Sequence, residues 1–334
     1  MKTILVPVDY SPNSKSALLY ALKLAQKANL NVVVFHAFQP IVSPPAAYDI
    51  PTFIPELENE KVQELEQYVK ACKSTLPDDV VISYTSVEGA EQTFGLAAHA
   101  KKAFHTAAVD YVPRGKYATH VTYVAKMGPV YGHIIKLAEA NKVDLIVMGM
   151  QGGGALNQVL IGSTTLSVMR NSKFPVLGVP LGAKFCGVKS VVFASDLSRQ
   201  PDKLLLTKLR EFVKTFRAEL QVLHIDKQQD PVANDERFKS ALEVLDKQLY
   251  DMNYKVVLQQ RPDVATGIQE YLQERKPDLL ILSPQKHNIL ERLLDRSVTS
   301  KMVAYNHLPL LTLPLSTTDN QHKVEEEMEN MEEL

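Results

Sequence analysis

The chain has 334 residues, 45% of them hydrophobic and 22% charged, with a formal net charge of −1. That balance describes a soluble globular chain and excludes the general electrostatic footprint of a nucleic-acid or membrane binder. Length favours two domains of ~150 residues each.

The first residues, Met1-Lys2-Thr3-Ile4-Leu5, enter a strand with neither a signal-peptide apolar region nor a small-residue cleavage site, so a cytoplasmic location is expected. Residues 4–8 read as that strand. Residues 14–28 read as a helix on which Ala17, Leu18, Ala21, Leu22, Leu24 and Ala25 form a broad apolar stripe, and 32–37 as the next strand. Pro40, Pro44, Pro45, Pro51 and Pro55 make 39–57 an extended loop, after which 58–73 reads as an amphipathic helix. Both 80–87 and 118–125 look like strands. Which of them is third in the sheet stays open, with Gly128-Pro129 before a helix favouring the later. Between them lies an insert, 88–119, helix-like at 91–108 and turning at Pro113-Arg114-Gly115; it reads as a lid, a partner surface or an inert elaboration. Apolar runs such as 145–148 and 279–282 are far too short to span a bilayer and suit buried parallel strands. Strands separated by helical crossovers make the expected fold class α/β, with doubly wound parallel sheets whose ligands sit beyond the carboxyl ends of the strands.

After the apolar run 143–148 comes Gly149-Met150-Gln151-Gly152, then nine residues, then Gly162-Ser163-Thr164. A buried strand ending at a glycine, a glycine-spaced loop and hydroxyls opening the next helix describe a phosphate cradle. Glycines let backbone N–H groups converge on an anion without a Cβ in the way. Ser163 and Thr164 then fall where a helix leaves its first N–H groups unpaired and its dipole favours negative charge. A flexible loop that binds nothing is the bland alternative.

The pattern G-x2-G-x9-G-S at Gly149, Gly152, Gly162 and Ser163 resembles the ATP-binding motif of the universal stress protein family. The resemblance extends to the first strand, residues 2–9 with Ser11 after it, and to Val32-Val33-Val34-Phe35-His36-Ala37 as the second. It implies an adenine-nucleotide site at Pro7, Val8, Asp9, Ala37, Met148, Gly149, Gly152, Gly162, Ser163 and Thr164. Asp9 and Ala37 would border adenine and ribose, and the glycine loop would hold the phosphates of ATP, with Mg²⁺ carried on them. Asp9 reads equally as a helix-cap or Asx-turn residue.

The chain runs twice through this plan. Residues 189–198, with Asp196 and Ser198, echo the opening strand; 220–225 echo the strand around His36; 278–283 echo 144–149; 308–314 echo 174–180. The reading is a tandem pair, domain 1 at 1–182 and domain 2 at 187–315, followed by an acidic tail at 316–334 that is either disordered or a solvated helix. Aligning Ser283 on Gly149 puts Lys286 and Arg296 where the motif has its second and third glycines, so domain 2 carries a degenerate loop and only Ser297 keeps its identity. Lys286, His287, Arg292 and Arg296 read as a solvated basic surface before they read as a site for another anion.

The remaining chemistry is sparse. Cys72 and Cys186 make neither a CxxC pair nor a metal cluster, so free thiols are expected. His36 and His224, each on an apolar strand, read as packed histidines before ligands, and no metal site is expected. No Walker-type GxxxxGK[ST] occurs and no obvious general base stands near 149–164. The family resemblance thus implies a cytoplasmic stress-response module regulated by ATP in its first half. A slow ATPase, or an interaction protein with an incidental nucleotide site and partner contacts on the insert or second domain, are the alternatives. Pairing of 176–179 with 310–313 would make a pseudo-dimeric monomer; a homodimer is the other arrangement.

Overall fold

The structure, a computed structural model, describes residues 1–39, 50–77, 80, 82–85, 119–150, 162–226, 236–283 and 308–315. Gly152, nearly all of the 88–119 insert, the basic residues at 286–296 and the acidic tail lie outside them. The chain divides into two compact units with the main break between Gly187 and Val188, the short segment Met169–Pro175 grouping with the second.

In the first unit the elements are β1 Thr3–Pro7, α1 Pro12–Ala28, β2 Asn31–Phe38, α2 Ile50–Lys73, β3 Ile82–Thr85, β4 Thr119–Met127, α3 Val130–Ala140, β5 Leu145–Gly149, α4 Ser163–Asn171 and β6 Val176–Val179. Strand order is β3-β4-β2-β1-β5-β6, and every neighbouring pair is parallel. Ile4, Leu5 and Val6 of β1 and Val32, Val34 and Phe35 of β2 are buried, as expected of parallel strands covered on both faces. The stripe foreseen on α1 is what packs: Ala17, Leu18, Ala21, Leu22, Leu24 and Ala25 are all buried. Ser11 caps that helix by accepting the Ser14 N–H at 3.2 Å, Pro12 takes the first helical position, and Asn29 ends it in the left-handed region at φ 54°. Each device satisfies or removes a backbone group that a helix end leaves over.

One expectation about a boundary changes, and one open choice resolves. The helix expected at 58–73 begins eight residues earlier, at Ile50, and takes in Pro51 and Pro55. Pro51 falls in the first turn, where its missing N–H has no partner to lose; Pro55 is exposed and removes one ladder bond from a helix otherwise anchored by buried Leu65 and Val69. The choice of third strand resolves in favour of the later candidate: β4 pairs with β2 along its length, and β3 adds beyond it.

The second unit contains β7 Ser190–Ala194, α5 Lys203–Phe216, β8 Glu219–Asp226, α6 Glu236–Gln248, β9 Tyr254–Gln260, α7 Val264–Arg275, β10 Leu279–Leu282 and β11 Leu310–Thr312. Its order, β9-β8-β7-β10-β11, is again parallel throughout and repeats the first unit without a counterpart of β3 among the described residues. The repetition reaches individual bonds. Asp144 Oδ2 accepts from the N–H groups of Lys2 and Thr3 at 2.5 and 3.0 Å, and Asp278 Oδ2 accepts from Lys189 and Ser190 at 2.7 and 2.9 Å. In both units a carboxylate before one central strand thereby pins the start of the other, satisfying N–H groups no ladder partner reaches.

Candidate functional site

In each unit the order of strands reverses beside the central one, at β1/β5 and at β7/β10, and the crevice beyond the carboxyl ends of such a pair is where open α/β sheets hold ligands. Asp9 follows β1 and Gly149 ends β5, so these two foreseen residues lie at the first unit's switch point. Ala37 sits at the same edge, near the end of β2, paired in register with Lys126 of β4. Pro7, Val8 and Met148 are buried, so they offer that edge backbone and apolar wall; the Val8 N–H already donates to Phe35 O at 2.8 Å.

Asp9 closes an Asx-turn: its Oδ1 accepts the Ser11 N–H at 3.1 Å and the Ser11 hydroxyl at 2.6 Å. Partial burial raises the carboxyl pKa, but hydrogen bonds from the Ser11 and Ser14 side chains and the Ser11 backbone outweigh it and hold Asp9 below the ordinary aspartate value. The chain passes this turn with Tyr10 in the left-handed region at φ 64°, an uncommon state for a bulky residue. Its ring lies 4.4 Å from that of His36 and edge-on to Tyr68 at 4.9 Å, and His36 stacks toward Phe38 at 6.3 Å. Burial, with the Glu64 charge, pushes the Tyr10 phenol up to about 12, and burial likewise raises that of Tyr68, whose enclosed hydroxyl has no hydrogen-bond partner among the described residues. An aromatic corner therefore flanks an ionised carboxylate.

The two described glycines of the motif have different physical reasons. A Cβ on Gly149 would meet Asn13 C and O at 2.6 Å and Ser14 N at 2.9 Å, all backbone. The first turn of α1 crosses the end of β5 so closely that only glycine fits, and packing alone requires it. A Cβ on Gly162 would have nothing within 4 Å among the described residues. Gly162 precedes α4 and accepts the Leu166 N–H at 2.9 Å; Ser163 is exposed and Thr164 half-buried at the first positions of that helix. No packing contact among the described residues explains this glycine. Sequence reading missed Thr165, which is buried and donates its hydroxyl to Gly149 O at 3.0 Å, tying the opening of α4 to the end of β5. The run Ser163-Thr164-Thr165 held the signal, since a third hydroxyl on a helix start has a backbone acceptor to find.

At the rim, Lys126 pairs with Glu58 at 2.5 Å, and Glu58 also accepts the Met127 N–H at 3.3 Å, fastening α2 to the end of β4. Cys72 is buried and Cys186 exposed, both as free thiols. Among the described residues no group of His, Cys, Asp and Glu has the makings of a metal site, and no helix is long and apolar enough to cross a membrane.

The second unit keeps the turn and alters what surrounds it. Asp196 Oδ1 accepts from the Ser198 N–H at 3.1 Å and its hydroxyl at 2.5 Å, as at Asp9. The residue between them, however, is Leu197, fully buried and not left-handed, and its N–H donates to Nδ1 of buried His224 at 3.1 Å. In the first unit the equivalent ring, His36, directs Nδ1 at Val8 O, 2.9 Å away. Aligning Ser198 on Ser11 would start the following helix at Arg199, yet α5 starts at Lys203 under an Asp202 cap. Ser283 stands where Gly149 stands, and the helix turn that forbids a Cβ at Gly149 is absent from its counterpart.

Residues 1–180 match the model of the Universal stress protein family. A curated universal stress protein of Methanocaldococcus jannaschii is 26% identical over 182 residues, which cover 53% of this chain and 81% of that protein. Another from the same organism is 42% identical over 53 residues, 16% of this chain, and the match spans only 33% of its length. Among solved structures, a universal stress protein from Archaeoglobus fulgidus DSM 4304 aligns with a TM-score of 0.56 at 18% identity, covering 94% of this chain and 98% of its own. A functionally unknown protein from Pseudomonas aeruginosa PAO1 aligns with a TM-score of 0.50 at 13% identity, covering 94% and 93%. At those identities the likeness concerns the fold.

Proposed function

This chain belongs to the universal stress protein family, and from that premise we propose that its first unit binds an adenine nucleotide, ATP with Mg²⁺ carried on its phosphates, as a regulatory module of the cytoplasmic stress response. The observation that carries the reading is Gly162. It is a glycine for which no packing need shows among the described residues, before a helix whose first residues are the exposed Ser163 and the half-buried Thr164. Unpaired N–H groups and the helix dipole favour a phosphate there. At the end of β1, Asp9 is held ionised and exposed, which suits a ribose hydroxyl as donor. Pro7, Val8, Ala37 and Met148 supply wall and backbone between the two, and Gly149 fixes the α1 start that positions Asp9.

The same carboxylate argues against turnover. A group held below the ordinary aspartate pKa is a poor acceptor for the proton of an attacking water near neutral pH. Binding, with a conformational readout, fits it better. We further infer that the units are tandem copies of one domain, 1–182 and 187–315, the second with a degenerate loop, and that partner proteins dock on the insert or on the second copy. Matching strand order, paired aspartate staples and paired Asx-turns support the duplication.

Calorimetric titration of the whole protein with ATP and Mg²⁺ should give one site per chain, and Gly162→Lys should remove it. Two equal sites would sink the degenerate second loop, and no binding at millimolar nucleotide would sink the reading itself. Phosphate release above a blank, lost in Asp9→Ala, would move the assignment to an enzyme.

A further inference from the structure

We propose that Tyr10 is a positioning residue for the nucleotide site, and that through its ring helix α2 is made to answer to what Asp9 holds. The inference rests on the nucleotide reading of the first unit, and it names the element that the conformational readout moves.

Asp9 lies between two residues that meet one ring. Val8 O, on its amino side, is 2.9 Å from Nδ1 of His36, and the ring of Tyr10, on the other side, lies 4.4 Å from the His36 ring. Tyr10 makes that contact from the left-handed region, at φ 64°, where a bulky L-residue carries a backbone cost. Such a residue keeps its conformation only while its surroundings hold it there. The surroundings are the rings of His36 on β2 and of Tyr68 on α2, the latter edge-on at 4.9 Å, and Glu64 of α2 is near enough for its charge to act on the Tyr10 phenol.

The left-handed angle gives Asp9 its setting. With Tyr10 there, the chain passes from β1 straight into α1: Ser11 caps the helix, Pro12 opens it, and Ser14 Oγ accepts the Asp9 N–H at 3.3 Å. In the second unit the same Asx-turn holds Leu197, which is not left-handed, and the helix is delayed to Lys203. There α6 meets the His224 ring through Phe238, at 6.1 Å, with no left-handed residue in the turn.

Helix α2 is fastened in two places. Glu58 holds Lys126 and the Met127 N–H at the end of β4, and Tyr68 packs on Tyr10, with Leu65 buried between them along the helix. If Tyr68 withdraws, Tyr10 loses one of the two contacts that offset its backbone cost, and the share of molecules with Asp9 set for a ligand falls. By linkage, a ligand that holds Asp9 in its turn tightens α2 by the same factor.

The test follows the full chain by calorimetry with ATP and Mg²⁺ and by amide hydrogen exchange along α2. ATP should slow exchange around Tyr68 by at least about fivefold. Tyr10→Ala removes the ring and keeps the backbone cost, whereas Tyr10→Gly removes both, since glycine takes a φ of 64° freely. The alanine variant should therefore bind ATP about tenfold more weakly than the glycine variant, and in neither should ATP slow α2. A residue that served packing alone would make the two variants equal. Tyr10→Phe keeps the ring and should restore both readouts, and Tyr68→Leu, changed on α2 itself, should weaken ATP about fivefold. Equal affinities in the alanine and glycine variants, or α2 exchange that bound ATP leaves unmoved in the unaltered protein, overturn the inference and leave the nucleotide reading standing. No ATP binding by the unaltered protein at millimolar concentration ends the nucleotide reading, and this inference with it.

Discussion

The two units share a skeleton and differ at one corner. Strand order, the aspartate that staples the two central strands and the Asx-turn after the first strand recur bond for bond. What differs is a coupled set: glycine against serine at the end of β5 and β10, a full first helical turn against a loop, a left-handed tyrosine against a buried leucine. Backbone-to-carboxylate bonds that hold a sheet together tolerate little variation, because a part-buried N–H stripped of its acceptor costs more than the bond returns. A corner made of side chains and one helical turn can be rebuilt as a block.

The sharpest way to break that comparison is to copy one member of the set without the others. Gly149→Ala should destabilise the first unit by about 3 kcal/mol, since its Cβ meets rigid helix backbone from which it has no rotamer to escape. Ser283→Gly in the second unit should cost less than about 1 kcal/mol, the ordinary backbone-entropy penalty. Urea unfolding of each variant measures both. Equal losses would mean that Gly149 and the first turn of α1 are not one device.

The staples should behave in the opposite way, alike in both units. Asp144→Ala and Asp278→Ala each strip two N–H groups of a charged acceptor, and each should cost about 1–3 kcal/mol, lowering the thermal midpoint of its own unit. A clear difference between the pair would show that the likeness of the units stops at geometry.

Much of this frame was legible beforehand, for stated reasons. Valine- and leucine-rich runs without alternation mark strands covered on both faces, and the stripe on α1 marks the face that covers them. The echo of Asp9-Tyr10-Ser11 in Asp196-Leu197-Ser198 was readable because an Asx-turn is local chemistry, written in consecutive residues. The start of α2 was not, because proline reads as a breaker until the packing of the rest of the helix is known. Nor was the split between Gly149 and Gly162. Sequence shows two glycines in one motif, and only the position of Asn13 shows that the first answers to packing and the second does not.

That split makes a smaller, sharper prediction. Gly162→Ala should leave stability within about 0.5 kcal/mol and still weaken ATP by about tenfold, because the added methyl occupies the space proposed for phosphate. Asp9→Asn should keep the Asx-turn, since Asn Oδ1 accepts from Ser11 equally well, and weaken ATP several-fold by removing charge from the ribose bond. The aspartate also has a pH signature. Its folded pKa is depressed, so the stabilisation it gives is complete above the ordinary value of about 3.9 and is lost as pH falls through the lower folded value. Asp9→Asn should flatten that acid limb, and Asp196→Asn should leave ATP affinity untouched.

The last difference changes no affinity and concerns single protons. A carbonyl oxygen only accepts, so His36 must carry its hydrogen on Nδ1 to meet Val8 O. A backbone N–H only donates, so His224 must leave Nδ1 bare to receive Leu197; its 3.3 Å approach to Ser195 O is then a contact and not a hydrogen bond. Two histidines at equivalent places are thus opposite tautomers, readable from the nitrogen shifts of the two rings. The same tautomer in both rings would mean that the leucine does not lock its loop, and that the rebuilt corner is held by burial alone.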